Sequence, residues 1–93
     1  MTAATASVQI DNERVSVTEW RFAPGAETGW HRHQYDYVVV PQTTGKLLLK
    51  SKAGDSVSQL TSGKSYFRKA GVEHNVINAS EGEFVFIEIE IKA

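Results

Sequence analysis

Apolar and polar residues alternate along much of this chain. Near the C-terminus Val85, Ile87, Ile89 and Ile91 fall on one parity, and Phe84, Phe86, Glu88 and Glu90 on the other. A strand sends successive side chains to opposite faces, so this pattern predicts a half-buried strand. Glu88 reaches an interior only if its parity is the inner one. Residues 14–22 alternate in the same way, with Val15, Val17 and Glu19 opposite Ser16, Thr18 and Trp20. Turn signals punctuate the chain at Pro24-Gly25, Thr28-Gly29, Gln42-Thr43-Thr44-Gly45, Ala53-Gly54-Asp55, Ser62-Gly63, Ala70-Gly71 and from Asn78 to Gly82. Short runs rich in Val, Ile, Thr, Tyr and Phe lie between them. Turns at a spacing of roughly 8–12 residues predict a sandwich or barrel. No stretch shows helical periodicity, so the expected class is all-β. Residues 1–7 are small and polar and are expected to form a flexible lead-in or an arm exchanged with a neighbour, leaving residues 8–93 as a single domain.

Composition narrows the function classes. A chain of 93 residues buries a modest fraction of its surface and has a thin stability margin. Ten Lys and Arg against eleven Asp and Glu give a net charge of -1, which excludes the usual basic nucleic-acid module. Cysteine is absent, which removes disulfides, thiolate metal sites and cysteine nucleophiles. The longest apolar runs, 37–40, 47–49 and 84–87, are far short of a bilayer span. The N-terminus has neither a positive n-region nor an apolar h-region, so a cytoplasmic protein with no membrane partner is expected. Little core and exposed sheet edges predict a homodimer, formed by sheet packing or by exchange of the N-terminal strand.

The chemistry is concentrated in the three histidines, His31, His33 and His74. His31 and His33 stand at i and i+2, which on a strand puts them on one face roughly 7 Å apart at Cα. Two imidazoles so placed can converge on one ion about 2.0–2.1 Å from each nitrogen. His74 opens the strand-like run 74–78 and can supply a third ligand.

The spacing around these residues resembles the cupin superfamily, whose motifs read G-x5-H-x-H-x3-4-E-x6-G and G-x5-P-x-G-x2-H-x3-N. Gly25, His31 and His33 match the start of the first; Gly63, Gly71, His74 and Asn78 match the second at every spacing. The resemblance implies a small antiparallel jelly-roll barrel enclosing a metal, with His31, His33 and His74 as its ligands. Two positions depart from the pattern. Lys69 replaces the proline, which gives up a fixed φ. The glutamate position is Tyr37 or Val38, depending on the spacing, and neither is a carboxylate. Tyr37 is favoured, since His31, His33, Tyr35 and Tyr37 then share one face of a continuous strand.

Three neutral imidazoles would leave a divalent ion its full +2 charge, which favours a small anionic ligand or substrate. Open coordination positions suit catalysis, and the metal could be Fe, Zn, Ni, Mn or Cu. The resemblance implies an enzyme of small-molecule metabolism acting on a small organic acid or carbonyl compound, of dioxygenase, isomerase or decarboxylase type. The stretch from Gly29-Trp30-His31-Arg32-His33 to Pro41 is also similar to small cupins associated with β-alanine degradation. That likeness points to short amino acids or their semialdehydes. The alternative is a non-catalytic binding or sensing cupin with a degenerate or empty metal site. Tyr37, the candidate catalytic residue, could hydrogen-bond a metal-bound water or substrate. It could instead ligate the metal after losing a proton with an ordinary pKa near 10, or simply fill the space of the glutamate. Asp36 and Glu88 are the fallback carboxylates. Trp30, Tyr35, Phe67, Phe84 and Phe86 belong to core or pocket, Arg32 should face solvent, and Asn78 should bond backbone.

Overall fold

Every turn signal read from the sequence falls between two strands or overlaps a strand end in the structure, a computed structural model that describes residues 2–92. The strands are β1 (Thr5–Asp11), β2 (Val15–Phe22), β3 (His31–Arg32), β4 (Asp36–Pro41), β5 (Gly45–Ser51), β6 (Gly54–Leu60), β7 (Tyr66–Arg68), β8 (Glu73–Asn78) and β9 (Phe84–Ile91). The described residues contain no helix, and thus none long and apolar enough to cross a membrane. Two sheets form, ordered β1-β2-β9-β4-β7 and β3-β8-β5-β6. All pairings between these strands are antiparallel.

Strand pairing begins at Thr5, inside the segment expected as a lead-in. Thr5, Ala6 and Ser7 pair with Arg21, Trp20 and Glu19 of the same chain, and Ala3 bridges to Glu27. Backbone pairing needs no large side chain, so small residues can form this edge. Met1 of the expected lead-in, and Ala93 of the expected domain, lie outside the described residues.

The register decides which parity faces inward. On β2 and β9 the inward residues are Thr18, Phe22, Phe84 and Phe86, all buried, and Glu88 and Glu90 follow on the same face of β9. Phe22 pairs with Phe84, Trp20 with Phe86 and Thr18 with Glu88, so the interior is apolar at one end and polar at the other. Phe22, Phe84 and Leu47 are the largest apolar side chains fully buried at the apolar end. The aliphatic parity faces outward. Ile10, Val17, Ile89, Val38 and Phe67 are successive cross-strand partners and form one apolar row across all five strands of the larger sheet.

Asn78 closes the apolar end. It is 2% exposed, and its amide nitrogen donates to the carbonyls of Phe22, Ala23 and Gly82 at 2.9–3.3 Å. Its side-chain oxygen accepts from the Ser80 N–H at 2.9 Å. This is the expected backbone-bonding role, and it ties the end of β2 to the turn before β9. Gly45 allows the close approach there, because a Cβ at that position would meet the Ser80 hydroxyl and the Phe84 ring.

Candidate metal centre

His31 and His74 are direct partners on neighbouring strands β3 and β8. His33 follows β3 in a non-strand segment, and two backbone hydrogen bonds clamp it. Its N–H donates to Val72 O at 2.9 Å, and the Gly71 N–H donates to its carbonyl at 2.8 Å. Gly71 sits at φ +99°, a conformation that strains residues with a Cβ, so this glycine turns the chain toward His33 just before β8 begins.

The expectation of one continuous strand from His31 to Tyr37 is corrected. The chain breaks after Arg32 and crosses from one sheet to the other, resuming at Asp36. The crossing takes the place of simple parity in bringing His33 and Tyr37 together. Their rings stack with centroids 3.9 Å apart and planes at 19°.

The three imidazoles converge. His33 Nε2 is 3.0 Å from His31 Nε2 and 3.2 Å from His74 Nε2. Two nitrogens each about 2.0–2.1 Å from one ion would lie about 2.9 Å apart at a right angle and about 3.4 Å apart at the tetrahedral angle. The observed separations fall between these values, so the donor set fits a small divalent ion. His31 Nδ1 lies 2.9 Å from the Gly29 carbonyl. A carbonyl only accepts, so Nδ1 carries the hydrogen and Nε2 of the neutral ring presents its lone pair inward. Burial, then repulsion from His31, pushes His33 down to about 4, and the same two causes push His74 down to about 4. Both rings are therefore neutral, the ligating form, at pH 7.

These rings form one end of a cavity of about 450 Å³, within the usual size range for small-ligand sites. Tyr37 is 3% exposed and lines it. Burial pushes its hydroxyl well above the usual tyrosine range in the ion-free chain. Asp36 points away; its Oδ1 accepts from the Ala70 N–H at 2.8 Å. Glu88 and Glu90, on the inner face, line the cavity. The Glu88 side chain is 12% exposed, with Oε1 4.0 Å from His33 Nδ1. Burial, then repulsion from Glu90, raises Glu88 to about 7.

Trp30 and Phe67 are half-exposed, at 51% and 48%, so neither belongs to the core. Trp30 instead donates to Glu73 Oε1 at 3.0 Å. Tyr35 does not line the cavity, whereas Phe86 does. Arg32 is exposed but its side chain reaches the cavity rim. Sequence reasoning missed Trp20, Thr28, Tyr66 and Glu90 as cavity residues. The inward parity of β2 and β9 would have found Trp20 and Glu90; nothing local marks Thr28 or Tyr66.

Residues 18–90 match the Cupin domain family. The chain is 66% identical over 89 residues to the β-alanine degradation protein BauB of Pseudomonas aeruginosa, covering 96% of this chain and 94% of that protein. A cupin domain crystal structure from Bordetella pertussis is 70% identical, with a TM-score of 0.97 over 99% of this chain and 96% of its own. An uncharacterised protein with a double-stranded β-helix domain from Klebsiella pneumoniae shares the fold at 21% identity, with a TM-score of 0.80 over 97% and 77% of the two chains. The motif spacing, the two antiparallel sheets and these matches agree, and the chain belongs to the cupin family.

Proposed function

We propose that this cupin holds one divalent metal ion on His31, His33 and His74 and acts as an enzyme on a small organic acid or carbonyl compound. The convergence of three Nε2 atoms at 3.0 and 3.2 Å carries this reading. An ion bound there would supply a +2 charge that draws an anionic group and polarises a carbonyl. The protein's own part is to keep the rings neutral, fix His31 through Gly29, and hold His33 between Tyr37 and the 71–72 backbone. Tyr37 acts with its hydroxyl protonated, as a hydrogen-bond donor toward the bound molecule. The relative BauB, named for β-alanine degradation, favours short amino acids or their semialdehydes as the substrate class. Dioxygenase, isomerase and decarboxylase chemistry all suit an open three-histidine site. A cytoplasmic location suits such metabolism.

The test is the metal content of protein purified without added metal, followed by spectral or activity changes with candidate acids, with and without dioxygen. Stoichiometric metal and a response that is lost in His31→Ala are expected. No metal binding tighter than micromolar, with ligand binding unchanged in His31→Ala, would overturn the reading. It would leave the second reading, a non-catalytic ligand-binding or sensing cupin. That alternative draws its support from Tyr37, which stands where the family motif has a carboxylate.

The same proposal includes a homodimer. The outward apolar row Ile10, Val17, Ile89, Val38 and Phe67 is the type of surface that marks a subunit contact, and a second copy packed on the larger sheet would cover it.

A further inference from the structure

The motif carboxylate is missing from β4, yet carboxylates stand beside its position. Tyr37 on β4 is the direct cross-strand partner of Glu90, and Val39 of Glu88. The acidic charge of the cavity therefore lies on β9, off the metal-ligand position. We infer that Glu88 and Glu90 form the ammonium subsite for a short amino acid whose carboxylate faces the three imidazoles. This deepens, and rests on, the metal reading above.

Glu88 is mostly buried, and among the described residues no Lys or Arg nitrogen lies within 4.0 Å of Glu88 or Glu90. Arg68, on the same wall, packs its guanidinium over the Tyr66 ring, 4.5 Å from the centroid. His33 is 5% exposed, and its Nδ1 has no hydrogen-bond partner among the described residues. That nitrogen faces Glu88 Oε1 at 4.0 Å, too far for a hydrogen bond. Donor atoms of His33, Glu88 and Glu90 all lie within 4.8 Å of one another. Two adjacent carboxylates without a counter-ion repel each other, and a bound ammonium relieves that repulsion while donating up to three hydrogen bonds. An aldehyde or alcohol at this end would not. A second metal ion is the poorer occupant, because His33 would have to bind through both ring nitrogens and lose both protons. His33 borders both subsites, so the two ends of the guest are separated by little more than one imidazole ring, which calls for a short carbon spacer.

Calorimetric titration of zinc-loaded protein with β-alanine and with propionate tests this, since the two acids differ only in the amino group. Zinc content measured after each titration excludes stripping of the ion. β-Alanine is expected to bind roughly tenfold tighter or more, as a charge-assisted contact implies. In Glu88→Gln the ratio should collapse toward one while propionate affinity stays unchanged, which also reports an intact fold. Equal affinities in the wild type, or a preference that survives in both Glu88→Gln and Glu90→Gln, would overturn the inference. So would a second zinc equivalent that disappears in Glu88→Gln. Failure of the metal reading appears separately, in the zinc titration before any acid is added. The comparison is then made on metal-free protein, where a Glu88-dependent preference for β-alanine supports the subsite and its absence overturns it.

Discussion

The two faces of β9 obey one alternation and serve opposite ends. Outward, Ile87, Ile89 and Ile91 continue an apolar surface shared with β2 and β4. Inward, two core phenylalanines give way to Glu88 and Glu90. In an ordinary half-buried strand the aliphatic face would be the buried one. Here the polar parity faces inward because it lines a cavity, with Glu88 and Glu90 partly buried, and the aliphatic parity faces outward, buried at Val85 and partly covered at Ile87 and Ile89. The inversion is what a ligand on the inner face and a second copy on the outer face, as proposed above, would both require.

The contrast can be broken from either side. The largest effect should come from the imidazole end. His74→Ala should cost more than the roughly 10–100-fold in metal affinity that follows loss of an orienting partner, while leaving association unchanged; titration with zinc and sedimentation check both halves. Next, Ile89→Asp puts a charge in the outer apolar row. It should convert the proposed dimer to a monomer at micromolar concentration and leave metal affinity within about twofold, as surface changes remote from a site usually do. Sedimentation of the wild type as a stable monomer would contradict the assignment of the outer face. A smaller effect is expected at Tyr37. Tyr37→Phe keeps the ring on His33 and should hold metal, whereas Tyr37→Ala removes the stacking partner and should weaken metal binding about tenfold.

Much of this was legible in the sequence. The turn residues marked the strand ends, and motif spacing brought His31, His33 and His74 together from two distant segments. The path between His33 and Tyr37 was not legible, because nothing in Gln34-Tyr35 announces a crossing between sheets. The inner face of β9 was not legible either. Parity separates Ile89 from Glu88 but does not say which side is inside, and hydrophobicity points the wrong way when the interior holds a polar cavity.

The smallest effect concerns pH. In the metal-free chain His33 and His74 sit near 4 instead of 6.5. Between those values the unfolded chain binds more protons, so their part of the stability falls as pH drops through that window. Glu88, raised from 4.5 to about 7, works in the other direction. Its stabilising part is present below pH 4.5 and lost as pH rises through 7. Glu88→Gln removes this opposing slope, so its stability should rise more steeply than the wild type's between pH 4.5 and 6.5 in denaturant titrations. Parallel profiles would contradict the burial of Glu88.

Anomalous scattering from crystals of the zinc-loaded protein tests the central claim most directly. One strong peak is expected inside the barrel, about 2.0–2.1 Å from Nε2 of His31, His33 and His74. A peak confined to the surface, or imidazoles turned apart around an ion-free cavity at saturating zinc, would contradict it.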